Sequence, residues 1–311
     1  MLVRGRRVLD YLVYLAARVV LCILQAMSLD AAQRLTRRLA WLCGRVLKIR
    51  ASVIEENLRH AFPETSPEDR RRLARRMWEH LFLLVVEVAH ARRTIHETNW
   101  REFIRLEGVA PLVRAMLSDR PLLIVTAHFG NFEIGGFVLG MLGFPTFTVA
   151  RDLDNPYLDR LLRGFRRTTG QTILAKNGQF ERIEAALESG ATMALLADQH
   201  AGPKGCWVQF FGRPASAHKA IALLSLDHDA PVAVVCCQRR LERPLQFEMR
   251  LVAMLDPRDL DSRGDGIREL TQRYTSRLEE MIRTAPEQYW WLHRRWREPP
   301  AGRRRQAVKA A

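Results

Sequence analysis

The chain has 311 residues, 48% of them hydrophobic, enough for one large domain or a domain with an appendage. Lys+Arg 49 against Asp+Glu 34 gives a formal charge of +15, which calls for anionic partners: nucleic acid, anionic lipid, phosphorylated substrates or an acidic carrier protein. Five cysteines (Cys22, Cys43, Cys206, Cys236 and Cys237), odd in number and without C-x-x-C spacing, exclude a disulfide framework and predict reduced thiols in a cytosol-facing protein.

In chain order, LDYLVYLAARVVLCILQAMSL (9–29) is apolar and about as long as a membrane span. Arg18 falls in its middle, where insertion costs about 2.5–3.5 kcal/mol. A helix lying in the interface with Arg18 snorkelling to the headgroups fits better, and a buried core helix is the alternative. No A-x-A cleavage site follows. Arg34, Arg37, Arg38, Arg45, Lys48 and Arg50 outnumber Arg4, Arg6 and Arg7, a bias that would put the body of the chain on the cytoplasmic side if the segment spans. The helical pattern continues to 92. Its last helix opens at Ser66, with Pro67 at the first helical position and Glu68 and Asp69 in the first turn.

From about 105, apolar β-branched runs at 122–127, 146–150, 172–174, 192–197, 231–238 and 247–255 alternate with helical patterns near 109–118, 132–142, 155–169, 178–189, 215–228 and 264–285. This predicts an α/β fold, a mixed central sheet covered by helices on both faces, with an N-terminal helical membrane-associating segment. The expected divisions are an anchoring helix (1–30), a helical region (31–104), the α/β domain (105–300) and a basic tail (301–311).

Sites in open α/β sheets form beyond the carboxyl ends of strands, and His128, Arg151 and Asp198 each follow such an end. In TAHFGNFEIGG (126–136) a histidine and a glutamate stand five positions apart. On one continuous helix they would point about 140° apart, so a turn must lie between them, and Gly130 and Asn131 suit it. His128 then ends a strand and Glu133 starts a helix, close enough for the carboxylate to orient the imidazole as a base. The glycines at 135, 136, 140 and 143 leave room for an acyl chain or another helix to pack closely. No G-x-S-x-G or other protein nucleophile stands nearby, which points to direct transfer onto a substrate hydroxyl. No metal-ligand spacing and no nucleic-acid module is present.

HFGNFE resembles the H-x-x-x-x-D/E signature of glycerolipid-type acyltransferases. Four further blocks resemble the lauroyl/myristoyl late acyltransferases of lipid A biosynthesis: VIEENLRHAFPETSPEDRRRLARRMWEH, VARDLDNPYLDRLL, GATMALLADQHAGPKGCWVQFFGRPASA and APEQYWWLHRRWR. The resemblance implies an α/β enzyme on the cytoplasmic face of the inner membrane. It would need no cofactor and would transfer an acyl group from an acyl carrier protein, or coenzyme A, to a hydroxyl of a lipid A precursor or related glycolipid. His128 would be the base and Glu133 its orienter. Arg151 would hold a phosphate or support the oxyanion, and Asn131, with backbone amides near Gly130, would polarise the carbonyl. Asn155, Asp198, Gln199 and Arg213 would contact the acceptor or its phosphates. The implied partners are an acidic carrier protein, an anionic glycolipid and the membrane surface, with no nucleic acid. A thioesterase using the same base on water, and a basic membrane binder without activity, are the competing classes. Trp290, Trp291 and Trp296, with Arg294, Arg295 and Arg297, form either a core edge or a strip resting on headgroups.

Overall fold

The computed structural model describes residues 2–150, 152–175, 180–240, 243–260 and 264–297, so Arg151 and the tail 301–311 lie outside the described residues. The N-terminal helices are α1 (Leu2–Ala26), α2 (Leu29–Trp41), α3 (Ala51–Ala61) and α4 (Pro67–Thr94), with a π-helical turn over Leu42–Val46 between α2 and α3. Ser66 accepts from the Asp69 amide at the start of α4, and Pro67 follows where a missing N–H costs nothing. α1 docks along its side. Tyr11 and Tyr14 meet Tyr157, Gln25 donates to Ala89 O, and His90 contacts Leu24 O.

Then come β1 (Ile104–Glu107), α5 (Ala110–Met116), β2 (Leu122–Thr126), α6 (Phe132–Met141), β3 (Thr146–Ala150), α7 (Pro156–Arg167), β4 (Gln171–Ala175), α8 (Phe180–Glu188) and β5 (Thr192–Leu196). A hairpin, β6 (Cys206–Phe210) and β7 (Arg213–Ala217), precedes α9 (Ala220–Asp227), β8 (Val232–Arg239), β9 (Phe247–Leu255) and α10 (Gly266–Thr284). The main sheet runs β1-β9-β8-β2-β5-β3-β4. Neighbours are parallel except at β8–β9, which makes the sheet mixed.

Because side chains alternate across a strand, β2 feeds two cores. Leu123 and Val125 pack in the main cluster with α3, α8 and α10, while Leu122 and Ile124 pack with Leu112 of α5. Cys236 and Cys237 likewise enter different clusters. Two expectations change. The helix expected over 215–228 starts at Ala220, since 213–217 pairs with 206–210 as the hairpin. Strand β1 is a short edge element with three exposed residues and had no apolar run to announce it.

Candidate active site

The backbone around His128 is built by three segments. β2 and β5 pair in constant register, Leu122 with Thr192 through Thr126 with Leu196, and the Ala197 amide donates to Thr126 O at 2.9 Å. Two residues further on, the same register sets His128 beside Asp198. Residues 288–290 run along the other side: the Gly130 amide donates to Gln288 O and the Trp290 amide to His128 O, both at 3.0 Å. The reversal into α6 needs a left-handed residue, and Gly130 supplies it at φ 59°. A Cβ there would lie 2.1 Å from Cys237 O, so no other residue fits.

His128 Nδ1 lies 2.8 Å from Asp198 Oδ1. Burial pushes the Asp198 carboxyl up, but the His128 charge and hydrogen bond, aided by His293 and a backbone amide, bring it down to about 2. An ionised carboxylate accepts, so Nδ1 carries the hydrogen and Nε2 keeps its lone pair. Burial lowers the His128 pKa, the Asp198 charge and hydrogen bond raise it with a smaller contribution from Glu133, and the balance is upward. Asp198 Oδ2 is buried and has no hydrogen-bond partner among the described residues. Phe132, Trp290 and His293 surround the imidazole, with ring centroids 5.3, 5.1 and 5.2 Å away.

The carboxylate in contact with the imidazole is thus Asp198, in place of the expected Glu133. Glu133 does stand in the first turn of α6, but Arg166 of α7 takes both its oxygens, at 2.5 and 3.0 Å. Glu133 reaches the imidazole only through its field. The expected oxyanion donors are also engaged. The Gly130 amide serves Gln288, and the Asn131 amide donates to Cys237 O at 2.7 Å. The Asn131 side chain is fully buried, capping the Ile134 amide and donating to Glu87 Oε2. The amides of Phe132 and Glu133, at the N-terminus of α6, have no hydrogen-bond partner among the described residues.

Gln199 lies beside the site, 3.4 Å from His293 Nε2. Asn155 is occupied elsewhere: it caps α7 and donates to Asp10 O of α1. Arg213 is exposed at the start of the hairpin, where its charge, after burial, helps lower the His60 pKa. The terminal strip is a core edge. Trp291 and Arg295 are buried, and Arg295 donates to Ser216 O.

Sequence reasoning missed a platform beneath the turn. Arg239 forms a bidentate pair with Glu87 at 2.5 and 2.6 Å, and all atoms of this pair are almost wholly buried. Arg239 also contacts His80 Nδ1, while His80 Nε2 donates to Gly130 O at 3.1 Å. That tautomer is neutral. Burial first, then the Arg239 charge, holds the His80 pKa well below its usual value. Glu87 stood in plain view as the one acid inside the apolar run LFLLVVEVA. Such a placement signals a buried, paired carboxylate.

The α6 glycines are closed by protein. A Cβ at 135, 136 or 140 would meet Cys237 Cβ, the Gln171 amide or Thr169 O, the last at 1.8 Å. They seat α6 on β8 and on the α7–β4 turn, while a Cβ on Gly143, just past the helix, would meet nothing, and Gly140 and Gly143 both border open space at that end. A cavity of about 680 Å³ lies at the far end of α6, lined in part by Arg92, Ile95, Phe137 and Met141, away from His128. Among the described residues no group of three His, Cys, Asp or Glu could hold a metal ion.

The profile of the bacterial lipid A biosynthesis acyltransferases matches residues 4–298. The chain belongs to this family. It is 28% identical over 276 residues to a lipid A biosynthesis lauroyltransferase of Escherichia coli (strain K12), covering 86% of each chain. It is 25% identical over 260 residues to the lipid A biosynthesis palmitoleoyltransferase of the same organism, covering 82% of this chain and 81% of the relative. A phosphatidylinositol mannoside acyltransferase of Mycolicibacterium smegmatis (strain ATCC 700084 / mc(2)155) is 24% identical over 257 residues, covering 76% of this chain and 82% of the relative. The chain is therefore an acyltransferase, and its relatives are named for lipid A biosynthesis and for phosphatidylinositol mannosides.

Proposed function

We propose that the enzyme moves a fatty acyl group from the thioester of an acidic acyl carrier protein to a hydroxyl of a lipid A precursor or closely related glycolipid. His128 Nε2 takes the proton from the acceptor hydroxyl as its oxygen attacks the thioester carbonyl. The new C–O bond forms, the C–S bond breaks, and the imidazolium returns the proton to the departing thiolate. Asp198 keeps the imidazole in the productive tautomer and steadies its positive charge. The developing oxyanion is held by the first-turn amides of α6, where the helix dipole favours negative charge, and by Arg166 nearby. Glu133 is a positioning residue that holds Arg166.

The observation that carries this reading is the 2.8 Å contact of His128 Nδ1 with a buried, ionised Asp198, which leaves Nε2 to face the acceptor. The charge of +15 supports an acidic donor and an anionic acceptor. Helix α1 supports a site at the inner membrane on its cytoplasmic side. Its stretch Arg6–Ala26 has a mean hydropathy of 1.8, long and apolar enough to cross a bilayer, and only 6% of its most apolar window is buried.

The test is to incubate the purified enzyme with acyl carrier protein or coenzyme A thioesters and with lipid A precursors or phosphatidylinositol mannosides, reading products by mass spectrometry. An acylated lipid A precursor formed from the carrier-protein donor is expected. Equal thiol release with and without any acceptor overturns the transfer reading, and preference for coenzyme A overturns the donor.

A further inference from the structure

The π-helical turn between α2 and α3 is not explained by the fold or by the chemistry above. Trp41, Leu42, Val46, Leu47 and Ile49 are exposed there, Leu47 at 57% and Trp41 at 53%. Among the described residues only α1 has more exposed large apolar side chains. One side of the turn is seated closely on α4, since a Cβ on Gly44 would lie 3.3 Å from Trp78 Cδ1. Lys48 and Arg50 have left-handed backbones, φ 48° and 51°, where the chain turns into α3. Positive φ at such long side chains is uncommon and concentrates at functional sites.

The charge around this knuckle has one sign. From residue 31 to residue 54 there is no Asp or Glu, while Arg34, Arg37, Arg38, Arg45, Lys48 and Arg50 fall in that stretch. Arg37 pairs with Glu79 of α4, and Arg50 donates to Leu292 O at 2.8 Å. Arg34, Arg38, Arg45 and Lys48 remain as an exposed cationic collar about an apolar tip that carries a tryptophan. An anionic bilayer matches all three features: acyl chains for the tip, the headgroup boundary for the indole, and phosphates for the collar. An acidic carrier protein would match the collar but would leave the five apolar side chains without a partner.

We propose that residues 41–49 form a second membrane-insertion element, separate from α1, that seats the enzyme on anionic lipid. The inference deepens the membrane reading given above and rests on it. The knuckle is tied to the catalytic wall. Arg50 holds Leu292 O, and Asn57 Nδ2 holds both Trp291 O, at 2.7 Å, and His293 O, at 2.6 Å. The rings of Trp290 and His293 flank the base in the same segment. Insertion of the tip therefore sets the distance between the lipid surface and His128.

The test compares wild type with Trp41→Phe on phosphatidylcholine/phosphatidylglycerol vesicles carrying brominated acyl chains. Bromine quenching of a component that disappears in Trp41→Phe is expected. The double variant Leu47→Ser/Ile49→Ser should turn over vesicle-embedded acceptor about tenfold more slowly while keeping its rate on detergent-dispersed acceptor, because less apolar area enters the bilayer. Unquenched Trp41 in an enzyme that still acylates lipid overturns the second element and leaves the transfer reading standing. Equal loss on both acceptor forms with an unchanged melting temperature also overturns it. A raised KM for the carrier-protein donor with unchanged quenching assigns the knuckle to the carrier instead.

Discussion

Behind the 128–131 turn, His80, Glu87, Asn131 and Arg239 bond to one another and to the turn's own carbonyl. In front of it, the His128 imidazole bonds Asp198 through Nδ1, and the carboxylate Oδ2 keeps unused capacity among the described residues. Both sides contain a histidine, an acid and burial. The difference is the nearest charge. At His80 a guanidinium adds to burial in lowering the affinity for a proton, whereas at His128 a carboxylate outweighs burial and raises it. In the proposed mechanism the platform lends geometry and the front side exchanges protons.

The comparison breaks most sharply at Asp198. Asp198→Asn should cost about three to four decades in kcat/KM with little change in melting temperature, because the amide no longer enforces the Nδ1–H tautomer. A loss under tenfold means another group orients His128. On the platform, Glu87→Gln leaves a buried guanidinium without its carboxylate and should lower unfolding free energy by about 3–5 kcal/mol, read by denaturant titration. If stability holds while activity vanishes, the platform does more than position.

Glu133→Gln tests the acid that the sequence offered as orienter. Loosening Arg166 should cost about two decades in kcat with the fold intact. Its second effect separates field from contact. The His128 pKa lies above 6.5, so kcat/KM rises as pH climbs through it, and loss of the Glu133 charge should move that midpoint down. An unmoved midpoint places Glu133 out of electrostatic reach. The stability of the pair carries the matching signs. The His128 contribution is full below its unfolded pKa and fades as pH rises through the raised value. The Asp198 contribution is full above 3.8 and fades as pH falls towards about 2. Smallest is Gly140→Ala, where overlap with Thr169 O should lower stability by about 1–3 kcal/mol. No loss there means that α6 is free to shift.

Much of the scaffold was legible because each element carries its own periodicity. All six expected strands of the main sheet recur within a residue or two, from 122–126 to 247–255. The hairpin was not, since RPASA has neither a helical nor a strand pattern and is ordered by pairing with 206–210. At the site, the turn between His128 and Glu133 followed from helix geometry, but the choice between Glu133 and Asp198 did not. Both acids begin a segment after a strand, and only their partners tell them apart.

The amino-acid sequence by itself determined the α/β alternation, the apolar N-terminal helix, the basic surface and the placing of His128, Asp198 and Glu133 at element ends. These are local properties, set by spacing along one strand or helix. Tertiary structure alone decided that β5 lies beside β2 in a register that brings Asp198 to the imidazole, that Arg166 claims Glu133, and that Glu87 meets Arg239. Those outcomes depend on which distant segments pack together, and strand register and helix docking are fixed by the burial of whole faces rather than by any short run of residues.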